Sequence, residues 1–215
     1  MSKRVICLSG GLDSAVLAYQ WKPNSDLYAI GFHYGQSHYK ENDAARRIAT
    51  KLDIPFLLFD FQPVVGRGKD SLTGGEGSPV VANRNATMLT LAATYAAGIG
   101  AKEVLIAPTR EDYDLFPDCR PNFYKAFNMM LGVSQLEVRI KAPYLHKTKR
   151  EVVLIGKEYD VPLGETWSCY ENGRTPCGEC LACTTRATAI DEAALDDDEL
   201  FDRNHPVESR EGVDE

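Results

Sequence analysis

Eleven residues near the start of the chain, VICLSGGLDSA from Val5 to Ala15, constrain the fold more than any other stretch. Val5 to Leu8 is a short apolar run opening on Ser9-Gly10-Gly11, and Asp13-Ser14 lead into a helical pattern, so the stretch reads as strand, tight loop and helix N-terminus. Such a loop suits an anion. Its backbone N–H groups and the positive end of the helix dipole converge on one point, and two glycines let the chain approach it without a Cβ in the way. No Gly-Lys-Ser/Thr follows, which excludes the Walker loop, and the glycine spacing excludes the dinucleotide fingerprint. A lone Gly-Gly would read equally well as a turn closing a buried βα unit. With 215 residues, the chain is long enough for one domain with a full parallel sheet and helices on both faces.

The hexapeptide SGGLDS, Ser9 to Ser14, resembles the SGGxDS pyrophosphate loop of the ATP pyrophosphatases, which split ATP between its α- and β-phosphates to adenylate a carbonyl or carboxylate oxygen. The rest of the chain continues the alternation. A first helix over 14–21 ends at Lys22-Pro23-Asn24-Ser25, and a second strand over 27–32 delivers His33-Tyr34-Gly35-Gln36-Ser37-His38 at its carboxyl end. Ligands of open parallel sheets sit beyond the carboxyl ends of the strands near the switch point, which makes His33 and Tyr34 candidates for the adenine pocket. A helix over 39–52 with Ala44, Ala45, Ile48 and Leu52 on one side precedes a third strand over 56–61. The Gly-rich connection from Gln62 to Ala82 reads as a lid, because Asn83-Arg84-Asn85 at its far end opens a helix over 86–97. Arg84 beside a phosphate loop would bind the anionic group of a second substrate.

A fourth strand over 103–107 opens the polar loop TREDYDLFPDCRP; a helix over 122–131, a fifth strand over 136–142 and a helix over 148–159 follow, the last with Thr148 as cap and Glu151 three residues on. The expected fold is therefore α/β, a doubly wound five-stranded parallel sheet over 1–163. A metal-binding appendage over 164–190 and an acidic tail over 191–215 complete the expected organisation, the tail opening with a short helix.

Cys169, Cys177, Cys180 and Cys183 stand in the spacing C-x7-C-x2-C-x2-C. Two CxxC turns sharing a middle cysteine bring three thiolates together, and Cys169 can complete a tetrahedron, so a structural Zn²⁺ is expected. A cubane iron–sulfur cluster or reducible disulfides are the alternatives. Cys7 reads as a small buried hydrophobe in its strand; Cys119 lies in a polar loop, where a reactive thiol is the lesser reading. The formal net charge of −7 is uneven: Asp191 to Glu215 holds eleven acidic residues against Arg203 and Arg210. The near-neutral body lacks the basic footprint of a nucleic-acid-binding domain. No apolar run reaches about 18 residues and no signal peptide is visible, so a cytoplasmic location without membrane contact is expected.

Five separated segments, SGGLDS at 9–14, YGQSHYKE at 34–41, the Arg84-Asn85 helix start, EDYDLFPDCRPNF at 111–123 and TWSCY…CGECLAC at 166–183, together resemble the 7-cyano-7-deazaguanine synthase family. The similarity runs from residue 4 to about residue 190. It implies conversion of 7-carboxy-7-deazaguanine and ammonia to the nitrile preQ0 with ATP and Mg²⁺. Ser9, Gly10, Gly11, Asp13 and Ser14 would hold the ATP phosphates, with Leu8 and Leu12 flanking them; Ser9, Asp13 and Ser14 would act in the chemistry, Asp13 as a Mg²⁺ ligand. Arg84, Asn85, Asp112, Asp118 and Arg120 would hold the deazaguanine and its carboxylate, and a homodimer is implied. Two segments depart from the family pattern, Ala82-Asn83 in place of a Pro or Gly, and APTRED at the exit of the fourth strand. Within the same superfold, tRNA thiolases would require a catalytic cysteine or an iron–sulfur cluster and a basic RNA face. A zinc-knuckle interaction module would be marked by a broken loop, and Asp13 and Ser14 are intact.

Overall fold

Val5 and Ile6 are neighbours and both are sealed from solvent. Successive strand residues point to opposite faces, so their strand must be covered on both sides, as in a parallel sheet. The computed structural model describes residues 1–36, 39–61, 81–171 and 173–194. In it these residues belong to β1 (Ser2–Cys7), the central strand of a five-stranded sheet. On one side β2 (Ser25–His33) pairs with β1 in parallel, from Ser2 opposite Ser25 to Cys7 opposite Ile30, and β3 (Phe56–Asp60) lies outside β2. On the other side β4 (Glu103–Leu105) pairs with β1, Arg4 opposite Glu103, and β5 (Arg139–Lys141) forms the far edge. The spatial order is β3-β2-β1-β4-β5. The winding reverses between β1 and β4, and a crevice opens there at the carboxyl ends of the strands.

The pleat divides the core in two. Ile6, Ala29 and Leu105 face a layer built by α1 (Leu12–Trp21), α2 (Lys40–Lys51), α6 (Lys149–Glu158) and α7 (Leu181–Glu192), where they meet Leu17, Ile48, Val152 and Ile190. Their strand neighbours Val5, Ile30 and Val104 face α3 (Arg84–Gly98) and α5 (Pro121–Val133), meeting Leu89, Ala92, Tyr124 and Phe127. Between β4 and α5 runs a polar segment with the one-turn helix α4 (Asp112–Leu115) and a 3₁₀ turn, Pro117–Cys119. The doubly wound α/β architecture expected from the alternating pattern is the one observed.

The differences lie at element ends and in one helix. β4 and β5 keep three residues each instead of the longer runs expected over 103–107 and 136–142: pairing between them begins only at Arg139, and after a last bond from Ile106 N–H to Lys141 O the exit of β4, Ile106 to Pro108, becomes cavity wall. Helix α7 had no counterpart in the sequence reading. Its apolar residues in LACTTRATAIDE form no stripe, and its stability comes from packing: Ala189, Ile190 and Ala193 enter the core, while Arg186 donates to Thr166 Oγ1 at 2.8 Å and Leu163 O at 3.0 Å. The lid read over 62–82 falls outside the described residues except at its last two positions. Ser37, His38 and the tail from residue 195, with the short helix expected there, also lie outside them. No helix among the described residues is long and apolar enough to cross a membrane.

Candidate active site

The loop after β1 is closed by its own serines. Ser9 N–H donates to Ser14 Oγ at 3.2 Å, the two hydroxyls lie 3.0 Å apart, Gly11 N–H donates to Ser9 Oγ at 3.2 Å, and Ser14 Oγ donates to Gly11 O at 3.1 Å. Gly11 is the N-cap of α1 and supplies no side-chain cap, so the first-turn N–H groups are left for a ligand. Gly10 adopts φ +91°, and a Cβ there would overlap Glu41 O and lie 2.6 Å from Ala45 N. The backbone of α2 thus seats the loop from outside.

Asp13, in the first turn of α1, accepts from Lys149 Nζ at 2.9 Å through Oδ2, while its buried Oδ1 has no partner among the described residues. Lys149 is the first residue of α6, inside the capping box that Thr148 and Glu151 form, and its backbone N–H donates to Glu111 Oε1 at 2.9 Å. Burial lowers the Lys149 ammonium pKa, but Asp13 and Asp112 outweigh burial and hold it above its ordinary value. Asp112 Oδ2 accepts from Thr109 N at 2.8 Å and from Thr109 Oγ1 at 3.2 Å. Burial raises the Asp112 carboxyl above the usual range, against the pull of Lys149. Two carboxylates and one ammonium therefore meet at the mouths of β1, β4 and β5.

Asp13 and Asp112 line a cavity of about 310 Å³ together with residues from the opposite layer, and Lys149 stands behind its wall, joined to it through Asp13. From the end of β2 come Phe32, Tyr34 and Gln36, the last tying the strand exit by accepting from Tyr34 N–H at 2.9 Å and donating to Phe32 O at 3.0 Å. Arg84, Asn85 and Met88 project from the start of α3, which Asn83 enters at φ +56°, a left-handed conformation that Asn tolerates better than most residues. Arg84 Nη1 donates to Tyr34 Oη at 3.4 Å with its guanidinium 5.6 Å from the ring centre. Burial lowers the Arg84 pKa, yet Tyr34, Asp118 and Cys119 raise it above its ordinary value. Asn85 Nδ2 donates to Cys119 Sγ at 3.7 Å, and burial pushes the Cys119 thiol up to about 12. The thiol is protonated at neutral pH and is not primed as a nucleophile. Cys7, likewise pushed up to about 12 by burial, also lines the cavity.

Of the residues singled out from sequence, Ser9, Gly11, Asp13, Ser14, Tyr34, Arg84, Asn85 and Asp112 line this one cavity. Leu8 and Leu12 are core residues flanking the loop, and Gly10 packs on α2. His33 ends β2 half-buried and off the cavity wall. Asp118 reaches Arg84 electrostatically without lining the cavity; Arg120 is exposed and donates from Nε to Tyr113 O at 2.9 Å. Lys149, Tyr124 and Tyr170 escaped the sequence reading. Lys149 had a signal, a basic residue next to a helix cap at a strand exit; nothing local marks the other two.

The Sγ atoms of Cys169, Cys177, Cys180 and Cys183 all lie within 4.8 Å of one another. Backbone N–H groups of Glu171 and Cys177 donate to Cys169 Sγ, and that of Cys180 to Cys177 Sγ, each at 3.3 Å, the pattern that stabilises thiolates around a cation. None of these four cysteines lines the cavity. Trp167 joins the two regions: its backbone N–H donates to Gly10 O at 2.9 Å and its indole Nε1 to Cys169 O at 3.0 Å.

The model of the family described as "Queuosine biosynthesis protein QueC" matches residues 3–194. Among curated relatives, a 7-cyano-7-deazaguanine synthase of Paracoccus denitrificans is 37% identical over 218 residues, covering 93% of each chain. The synthase of that name from Archaeoglobus fulgidus is 36% identical, covering 87% of this chain and 85% of the relative. Among solved structures, NMN synthetase from Francisella tularensis superposes with a TM-score of 0.55 at 17% identity, over 95% of this chain and 85% of that one. The U34-tRNA thiolase NcsA from Methanococcus maripaludis, solved with its [4Fe-4S] cluster, gives 0.50 at 20% identity, over 95% and 68%. These two likenesses establish the fold. Because the QueC match spans both the phosphate loop and the four-cysteine block, and relatives more than a third identical cover most of both chains, the chain belongs to the QueC family.

Proposed function

We propose that this chain is an ATP-dependent ligase that converts 7-carboxy-7-deazaguanine and ammonia to 7-cyano-7-deazaguanine, the product named for its relatives. The observation that carries the reading is the meeting, in one cavity, of a phosphate loop with an arginine and polar acceptors suited to a second, anionic substrate.

A carboxylate resists ammonia because its leaving group would be an oxide. The substrate carboxylate oxygen attacks the α-phosphorus of ATP, the α–β bridging bond breaks and pyrophosphate leaves. Ser9, Ser14 and the first-turn amides of α1 hold the departing phosphates, and Lys149 balances the charge that develops on them. Arg84 holds the carboxylate, while Asp112 accepts from the N1–H and exocyclic amine of the base. Ammonia then adds to the acyl carbon, AMP leaves with the C–O bond pair, and loss of a proton gives the amide. A second adenylation, on the amide oxygen, lets loss of AMP and the two nitrogen-bound protons form the nitrile. One site serves both rounds.

The partnerless Oδ1 of Asp13 fits a Mg²⁺ ion, which when bound would offset phosphate charge. Four thiols with no place for a fifth ligand, off the cavity wall, fit a structural Zn²⁺. The proposed setting is the cytoplasm, with small-molecule substrates, no nucleic-acid partner and a homodimeric assembly.

The test is mass spectrometry of the full chain with 7-carboxy-7-deazaguanine, ATP, Mg²⁺ and ammonium, following AMP, pyrophosphate and the base. Nitrile with two AMP per turnover is expected. Amide alone would place the end of the reaction one step earlier, and no carboxylate-dependent AMP from folded, metal-loaded protein would overturn the substrate.

A further inference from the structure

Two buried polar atoms on the cavity residues have no hydrogen-bond partner among the described residues, and they belong to opposite layers. Asp13 Oδ1 is at the phosphate end. The other is Tyr124 Oη, on the first turns of α5, in a residue only 5% exposed. A phenol kept from water and given no acceptor costs free energy that packing must offset. Tyr124 lines the cavity together with Cys119, Asp112 and Cys7, and these three and Asp118 act electrostatically on its hydroxyl. Burial raises the phenol pKa, so the group is an O–H donor throughout the neutral range.

The surroundings say what that donor would meet. Met88, Ile106 and Phe116 supply apolar walls, which suit the faces of a heterocycle. Arg84 stands at the same end, and among the described residues no carboxylate forms an ion pair with it. An anionic group on the heterocycle would meet that need, and adenine carries none. A lactam edge places a carbonyl oxygen beside a ring N–H, which calls for a donor beside an acceptor. We propose that the Tyr124 hydroxyl donates to the lactam oxygen of the 7-deazaguanine while Asp112 accepts from the adjacent N–H, so that this pair selects the base. The assignment rests on the proposed function and adds to it a specificity-determining residue from the layer opposite the phosphate loop.

The full chain and Tyr124→Phe are compared by calorimetric titration with 7-carboxy-7-deazaguanine, with 7-deazaguanine and with a non-hydrolysable ATP analogue, alongside thermal unfolding without ligand. The variant binds both deazaguanines about tenfold more weakly, the effect of one lost neutral hydrogen bond at a polar site. Its affinity for the ATP analogue is unchanged and its unligated melting temperature is equal or higher, because a partnerless hydroxyl has been removed. Weakened ATP binding would place adenine against Tyr124 and overturn the proposal. So would unchanged affinities, an effect confined to the carboxylated ligand, or a lower melting temperature. Wild-type protein that binds the ATP analogue but neither deazaguanine would overturn the proposed function itself, and this assignment with it, before the variant is compared.

Discussion

Gly10 shows how a single backbone position ties sequence to chemistry. Its φ of +91° is open to glycine, and the missing Cβ is the space in which Glu41 O and Ala45 N of α2 sit. Gly10→Ala therefore meets both strain and overlap, and is expected to cost about 2–4 kcal/mol of stability. Chemical denaturation would measure this, and an unchanged midpoint would show that the loop is not seated on α2. Lys149 makes the complementary case. Its ammonium lies 2.9 Å from Asp13 and is kept charged by two carboxylates, so Lys149→Met, which keeps most of the stem, should slow single-turnover AMP formation by about 10²-fold. A wild-type rate would remove Lys149 from the phosphate site. The SGGLDS loop and the four cysteines were legible because their spacing is local. Lys149 was not singled out because its meaning depends on α6 packing against α1, which brings it to Asp13, a fact of topology, and Tyr124 was missed because it looks like any aromatic residue on a buried helix face.

At the level of elements, legibility followed how far each one depends on its own residues. The helix α6 was readable down to its cap: Thr148 Oγ1 accepts from Glu151 N–H, and Glu151 accepts from Thr148 N–H. Helix α7 was not, since its burial comes from docking on α6 and from Arg186, and no periodicity in LACTTRATAIDE announces it. The shortness of β4 and β5 was equally hidden, yet one carboxylate shows how so few residues hold register. Glu103 on β4 pairs with Arg4 on β1 at 2.6 Å and with Lys141 on β5, joining three strands. Burial raises its pKa, but Lys141 and Arg4 outweigh burial and hold it below the ordinary 4.5. A carboxylate depressed in this way stabilises the fold above its unfolded pKa, and that contribution disappears as pH falls through the folded value. Glu103→Gln should lower stability at pH 7 by at most about 1 kcal/mol, since the group is partly exposed. Melting temperatures measured from pH 7 down to pH 3 should converge for the two proteins at the acid end. A gap that stayed constant would mean that the pair contributes through packing alone.

Across the whole molecule, the four-cysteine block and the candidate crevice are neighbouring sites, joined through Trp167 and through Tyr170, which follows Cys169 and lines the cavity. Trp167 contacts the phosphate loop through Gly10 O and the cysteine block through Cys169 O, and Lys40 of α2 lies 4.8 Å above its ring. Ala44, Trp167, Cys169 and Cys183 form a small core of their own, distinct from the α3–α5 layer that carries Arg84 and Tyr124. An ion held by the four thiols would thus stiffen the loop side of the cavity and leave the far side to its own packing. Removing the metal by chelation, with metal content measured in parallel, is expected to lower the melting temperature by about 10 °C, equivalent to roughly 3 kcal/mol in a domain of this size. The affinity for an ATP analogue should fall with it, while that for 7-deazaguanine changes little, because Trp167 no longer fixes Gly10. Hydrogen exchange should accelerate in the loop and the start of α1 and stay unchanged in α3 and α5. Equal losses of affinity for both ligands would point to a metal that supports the entire fold; a lower melting temperature with intact ATP affinity would show that Trp167 transmits nothing to the loop.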